Sequence, residues 1–173
     1  MSEPGEPAAT PPDPMAGLRI REAVRAILLT PDRDVLLVRF EFPNTGLRWA
    51  MPGGGLEPGE THLDALRREL AEEVGLADPP AGVHVWDRLH IIPFIDGRWD
   101  GQRERFFLVP TERFEPRPHL SWPELHAEYL FELRWWHLDE IADGLPFVPA
   151  GMAGHLRRLA LEGPPNSPVE VGV

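Results

Sequence analysis

The chain of 173 residues contains no cysteine and no lysine. Without cysteine there are no disulfides, no thiolate metal ligands and no sulfur nucleophile. All 17 basic side chains are arginine, whose planar fork suits carboxylate and phosphate oxygens, although compositional bias in a source genome would give the same result. No apolar run approaches the ~20 residues needed to span a bilayer. The N-terminus lacks a basic start followed by an apolar core, so no secretory signal is visible and a cytoplasmic location is expected. Positive charge is also scarce, the formal net charge being −11. A surface so acidic argues against binding long nucleic acid nonspecifically, which needs a basic footprint. It still permits a small phosphorylated substrate, provided that ions and local arginines reverse the field in the site.

What is present fits one soluble domain, with a hydrophobic content of 42% and enough length to bury a core. Residues 1–17 are rich in Pro, Ala, Gly and acidic side chains and are expected to be a disordered tail. Residues 18–162 read as a single domain, and 163–173, with paired prolines, as a fraying end. Strands are predicted over Leu18–Thr30, Val35–Phe40, Trp49–Met51, Val83–Pro93, Gln102–Val109 and Tyr129–Trp136. The second is expected to pair back on the first, and the strand from Gln102 to return as a hairpin on its predecessor. Pro110–Glu124 reads as an irregular loop. A short helix is expected at Leu138–Ile141, and a terminal one over Pro149–Glu162 with Met152, Leu156, Leu159 and Ala160 inward.

The most informative stretch is Met51–Leu76, MPGGGLEPGETHLDALRRELAEEVGL. A turn-rich PGGGLEPGE runs into a helical pattern, with Thr61 as N-cap and Gly75 as the stop. Leu63, Leu66, Leu70 and Val74 share one face. Glu69, Glu72 and Glu73 occupy an arc beside it, where like charges at these spacings repel by a few tenths of a kcal/mol per pair. Helix stability alone does not select such a cluster, which is either a solvated acidic face or a site for a hard divalent cation, whose preferred ligands are carboxylate oxygens.

From Gly54 the chain reads Gly, five residues, Glu60, seven residues, then Arg68-Glu69-Leu70-Ala71-Glu72-Glu73-Val74-Gly75-Leu76. This resembles the Nudix box, GX5EX7REUXEEXGU, at every defined position. A chance match in a chain of this length is rarer than roughly one in a million. The resemblance implies an α/β/α sandwich with a mixed sheet, and hydrolysis of a nucleoside diphosphate linked to another group X, with Mg²⁺ or Mn²⁺. It implies Glu69, Glu72 and Glu73 as metal ligands with the Gly54 carbonyl, and Glu60 and Arg68 as the residues that orient them. Glu57 is either a ligand through water or a surface charge. A further carboxylate from a later loop is expected as ligand or general base, with Glu128 first and Glu124 and Glu104 as rivals.

Arg39, Arg48, Arg103 and Arg105, on or beside strands, are candidate phosphate clamps or surface ion pairs. Trp49, Trp135 and Trp136 are assigned to the core, leaving Trp86, Trp99 or Trp122 to stack on a base. The histidines show no zinc spacing. A non-catalytic nucleotide sensor is the alternative, although such domains commonly lose box glutamates and none is missing here. Isopentenyl diphosphate isomerases need a cysteine, and messenger-RNA decapping enzymes a basic surface; both are lacking. Group X stays open among damaged triphosphates, ADP-ribose, nucleotide sugars and dinucleoside polyphosphates. Homodimers are common in the family, and nothing in the sequence fixes one.

Overall fold

The computed structural model describes residues 13–173; residues 1–12 of the expected disordered tail lie outside that range, and 14–17 form a turn. The strands are β1 (Ile20–Leu29), β2 (Asp34–Phe42), β3 (Gly46–Ala50), β4 (Val83–His90), β5 (Gly101–Pro110), β6 (Leu130–His137) and β7 (Val169–Glu170). The helices are α1 (His62–Val74), α2 (Trp122–Ala127) and α3 (Met152–Glu162), with a single 3-10 turn at Leu138–Glu140. Among the described residues no helix is long and apolar enough to cross a membrane.

All seven strands belong to one mixed sheet, ordered β3-β2-β1-β5-β4-β7 with β6 on β2. Alternation along the strands sends side chains to opposite faces. Val24, Ala26, Leu28, Leu36, Phe107 and Val109 meet Leu66, Leu70 and Val74 of α1 on one face. Ile27, Val35, Leu37, Phe106 and Leu108 meet Met152, Leu156 and Leu159 of α3 on the other. The sheet is therefore the middle layer of an α/β/α sandwich, as the sequence implies.

The pairing expected between the first two strands is present but short. β1 and β2 share a single antiparallel register pair, Leu29↔Val35, after which they diverge. β1 instead runs parallel to β5 along its whole length, from Ile20↔Gly101 to Leu29↔Pro110. β2 is drawn away because β3 and β6 pair with it. The edge of β1 so vacated is filled by the glycine-rich turn before α1. Val24 N–H donates to Gly54 O at 2.9 Å, Ala26 N–H to Pro52 O at 2.8 Å and Leu56 N–H to Glu22 O at 3.0 Å. This is the step that fixes the turn, and with it the start of α1, against the sheet.

The carboxyl end does not fray as expected. Val169 and Glu170 pair in parallel with Trp86 and Asp87 of β4, and Val171 is buried in the α3-side core. The period-two pattern Val169-Glu170-Val171 provides the apolar side chains that hold it there. The proline-rich stretch before α2 is irregular, as expected, yet firmly docked. Arg117, His119 and Leu120 donate their N–H groups to Val74, Ala71 and Glu72 carbonyls, serving acceptors that a helix end leaves unpaired.

Candidate active site

Helix α1 begins where the sequence places it. The Thr61 hydroxyl accepts from Asp64 N–H at 3.2 Å, and the Asp64 carboxylate accepts from Thr61 N–H at 3.2 Å, a reciprocal cap. Gly75 ends it at φ 79°. One residue of the expected apolar stripe is misassigned: Leu63 lies 44% exposed, and Ala65 takes the inward position in the first turn. The buried arc of α1 consists of Ala65, Leu66, Glu69, Leu70, Glu73 and Val74, so two carboxylates are carried into the protein with the leucines.

Glu69 and Glu73 are 6% and 2% exposed. Burial is the main force on both, raising each carboxyl above the ordinary range, and Glu73 is pushed up to about 8. Their mutual repulsion adds to this at Glu73, while Arg25 and the Gly53 N–H, which donates to Glu73 Oε2 at 2.8 Å, act against it. Glu72, one turn along, is partly open to solvent.

Arg68 ties the acidic residues together. Its Nε and Nη2 grip both oxygens of Glu60 at 2.7 and 2.9 Å. Its Nη1 donates to Glu69 Oε1 at 2.9 Å and to Glu72 Oε2 at 3.3 Å, and Nη2 also reaches Gly55 O at 2.9 Å. The bidentate pair holds the Glu60 carboxyl at about 2, well below the usual range. Gly54 is pressed against Glu69: a Cβ built there falls 2.3 Å from Glu69 Oε1. The Gly54 carbonyl already accepts from Val24, leaving one lone pair unused. Glu57 is largely exposed and lies 3.9 Å from Arg68.

The later carboxylates separate by their partners. Glu124 is spent on the cap of α2, accepting from Ser121 N–H at 2.8 Å and Ser121 Oγ at 2.7 Å. Glu104 is buried and held by Arg25, Arg88 and Gln102. Glu128, at the end of α2, is raised by partial desolvation and by Glu72, and opposed by Arg21 and Arg68. The docked loop and α2 thus set Glu128 within electrostatic range of Glu72. Tyr129, at φ 64°, makes the sharp exit into β6.

Three of the four candidate clamps have partners of their own. Arg39 pairs with Glu41 and donates to Glu132 at 2.8 Å, and Arg48 folds onto Leu47 O at 2.7 Å. Arg103 meets Glu22 at 3.1 Å. With Arg105 it lines a separate cleft of about 240 Å³ alongside His84 and Asp87, on the sheet face opposite Glu104. Two arginines of β1 lie beside the acidic cluster instead. Arg21 lies against Gly55, donates to Gln102 Oε1 at 3.1 Å, and feels Glu69 and Glu128. Arg25 lies partly buried under the turn, with Nη1 on Gly53 O at 2.7 Å. A visible signal existed: charged side chains four apart in an apolar strand share one face. Of the tryptophans, Trp86 is buried among Phe106 and His155 rather than free to stack on a base. Trp122 is exposed beside His126, and Trp99 is partly buried in the β4–β5 hairpin.

The donor set fits a hard cation in kind, since it offers carboxylate oxygens and a carbonyl with no sulfur or imidazole among them. It is not a finished cage: among the described residues no three His, Asp or Glu side chains converge on a point. Glu69 and Glu72 turn toward Arg68 and Glu73 toward Gly53, so the carboxylates are held by internal partners.

A family model described as NUDIX domain matches residues 19–159. An RNA pyrophosphohydrolase of Wolbachia pipientis is 34% identical over 107 residues, 57% of this chain and 65% of the relative. A human 8-oxo-dGDP phosphatase is 38% identical over 78 residues, covering 43% of this chain and 23% of the relative. The chain therefore spans less than two thirds of either relative's length. The solution structure of the E. coli ORF135 protein superposes with a TM-score of 0.60 at 24% identity, over 86% of this chain and 96% of that one. The chain belongs to the NUDIX family.

Proposed function

We propose that the chain is a pyrophosphohydrolase that uses Mg²⁺ or Mn²⁺ to cleave a diphosphate linkage between a nucleoside and a group X by attack of water on phosphorus. The observation that carries this reading is the buried pair Glu69 and Glu73 beside Glu72. Two carboxylates taken out of water with too little positive charge around them are costly, and a divalent ion removes the cost. When bound, the ion neutralises the diphosphate oxygens and makes water acidic enough to attack at neutral pH. Glu69, Glu72, Glu73 and the free lone pair of Gly54 O would hold it. Arg68 and Glu60 set the carboxylates at fixed angles. Arg21, beside the cluster on the sheet side, faces the phosphates.

Glu128 is the general base in this reading, because of the three later candidates Glu124 is consumed by a cap and Glu104 by buried pairs. Its raised affinity for protons suits the task. Glu128→Gln is expected to lower kcat about 100-fold while leaving Mn²⁺ affinity unchanged. The acid limb of the kcat profile is expected above the ordinary glutamate range in the parent and absent in the variant. Loss of Mn²⁺ binding instead would make Glu128 a ligand.

Ion binding must displace the proton that Glu73 retains up to about pH 8. Mn²⁺ affinity is therefore expected to rise with pH through that window and to level off above it. Titration of free Mn²⁺ by electron paramagnetic resonance at about pH 6.5, 7.5 and 8.5 measures this, and a flat or falling affinity contradicts it.

The two relatives bear names that concern RNA and 8-oxo-dGDP. The net charge of −11 favours a small nucleotide over a long strand. A panel of 8-oxo-dGDP, nucleoside triphosphates, ADP-ribose, nucleotide sugars, dinucleoside polyphosphates and a triphosphate-ended oligonucleotide tests the proposal. Product identification then names X. No hydrolysis of any member with Mg²⁺ or Mn²⁺ would favour a sensor.

A further inference from the structure

Glu104 stands in the middle of β5, outside the box, and is 2% exposed. Its carboxylate accepts from Arg25 Nε at 2.7 Å, from Gln102 Nε2 at 2.8 Å and from Arg88 Nη1 at 2.8 Å. Two of these contacts lead to the candidate site by separate routes. Arg25 passes from Glu104 to Gly53 O at 2.7 Å, and Gly53 N–H passes to Glu73 Oε2 at 2.8 Å. The Gly53 residue is thus gripped on both sides. Gln102, with its amide nitrogen on Glu104, must turn its oxygen outward, where Arg21 Nη1 donates to it at 3.1 Å.

The charges make this arrangement consequential. Arg25 and Arg88 outnumber the one carboxylate between them, so a positive charge is left behind Glu69 and Glu73, and Arg25 acts on both. Glu104 fixes where that charge sits. Held by Glu104, Arg25 stays under the turn; released, it lies within reach of the carboxylates that the proposed ion needs.

We propose that Glu104 is a positioning residue with two outputs: through Arg25 it sets the Gly53–Gly54 turn beneath the metal carboxylates, and through Gln102 it orients Arg21 toward the phosphates. The second output rests on the function proposed above; the first needs only that the acidic cluster binds a cation.

The test uses the full chain, with Mn²⁺ affinity measured by electron paramagnetic resonance in the absence of substrate, and kcat and KM measured on the best panel substrate. Arg25→Lys keeps the charge but cannot fork between Glu104 and Gly53 O. It is expected to weaken Mn²⁺ binding about tenfold, in line with outer partners of metal ligands. Gln102→Leu is expected to leave Mn²⁺ affinity unchanged and to raise KM about tenfold with kcat nearly constant, the mark of lost uniform binding. Glu104→Gln is expected to show both effects, and Glu104→Asp to restore part of each. Glu104→Gln leaves two guanidinium groups buried and can fail to fold, in which case the Arg25 and Gln102 variants decide. A folded Arg25→Lys protein that binds Mn²⁺ as the parent does, while Glu72→Gln binds it weakly, would overturn the first output. A Gln102→Leu protein with unchanged KM would overturn the second. If Glu72→Gln itself binds Mn²⁺ normally, the metal reading of the cluster fails, and the proposal falls with it.

Discussion

Glu72→Gln is expected to lower kcat by about 10³-fold, a loss of about 4 kcal/mol of transition-state stabilisation, with the fold intact. Glu72 can be tested cleanly because its side chain is 33% exposed and accepts a single weak contact, 3.3 Å from Arg68 Nη1. Its removal leaves no buried donor stranded, since that nitrogen keeps Glu69 Oε1. The amide has nearly the same volume and can still accept from Arg68, so packing changes little. What it loses is the charge that a divalent ion requires. Mn²⁺ affinity is expected to fall in parallel, while the thermal midpoint stays within a few degrees of the parent. Turnover unchanged at saturating Mg²⁺ would remove Glu72 from the site. A collapse of the melting transition would mean that the residue is structural.

The clustering of Glu69, Glu72 and Glu73 is legible in the sequence, and the placement of Arg21 and Arg25 beside them is not, for a physical reason. The box glutamates are adjacent along one helix, and helical spacing converts sequence distance into spatial distance almost without further information. Thr61, Gly75 and the buried Leu66, Leu70 and Val74 obey the same local rule. Leu63 fails it because its side of the first turn of α1 faces solvent while Ala65 turns inward, a fact about tertiary packing. The arginines of β1 acquire their role from Gln102 and Glu104, far along the chain and brought alongside by parallel pairing with β5. Parallel partners leave no turn signal between them. Residue type alone makes Arg39, Arg48 and Arg105 equal candidates, whereas in the fold Glu132 holds Arg39, Leu47 O holds Arg48 and Arg105 lines the cleft with His84 and Asp87.

Helix α2 is a different case, since its signal was present. Ser121-Trp122-Pro123-Glu124 has an N-cap, a proline in the first turn and a glutamate at the third position, which together announce a helix start. Reading Glu124 as a capping residue also removes it as a candidate base, and leaves Glu128 at the helix end. At the carboxyl terminus the local signal points the wrong way. Pro164 and Pro165 are strong local punctuation, but the alternating Val169-Glu170-Val171 lies just beyond them, and burial of its two valines outweighs the break.

The second large effect is expected at Gly54→Ala. The backbone there has ordinary φ, so the glycine is required by space alone. The added Cβ would fall 2.3 Å from Glu69 Oε1 and 2.7 Å from its Cδ, closer than van der Waals contact permits. On an exposed glutamate the carboxylate would simply swing aside. Glu69 cannot do so freely, being 6% exposed and held at Oε1 by Arg68 at 2.9 Å. The turn cannot recede either, because Gly54 O is bonded to Val24 and a Cβ on Gly53 would meet Val24 O at 2.1 Å. The carboxylate therefore rotates off Arg68, and a displacement of about 1 Å at a reacting centre costs about 100-fold in rate. Weaker ion binding, about tenfold, compounds this, so kcat/KM at limiting Mn²⁺ is expected to fall about 10³-fold. Gly59→Ala serves as the control in the same loop, with nothing within 4 Å of its added Cβ, although its φ of +84° adds a strain that Gly54→Ala avoids. Comparable losses in the two variants would mean that loop strain, rather than eviction of Glu69, sets the rate.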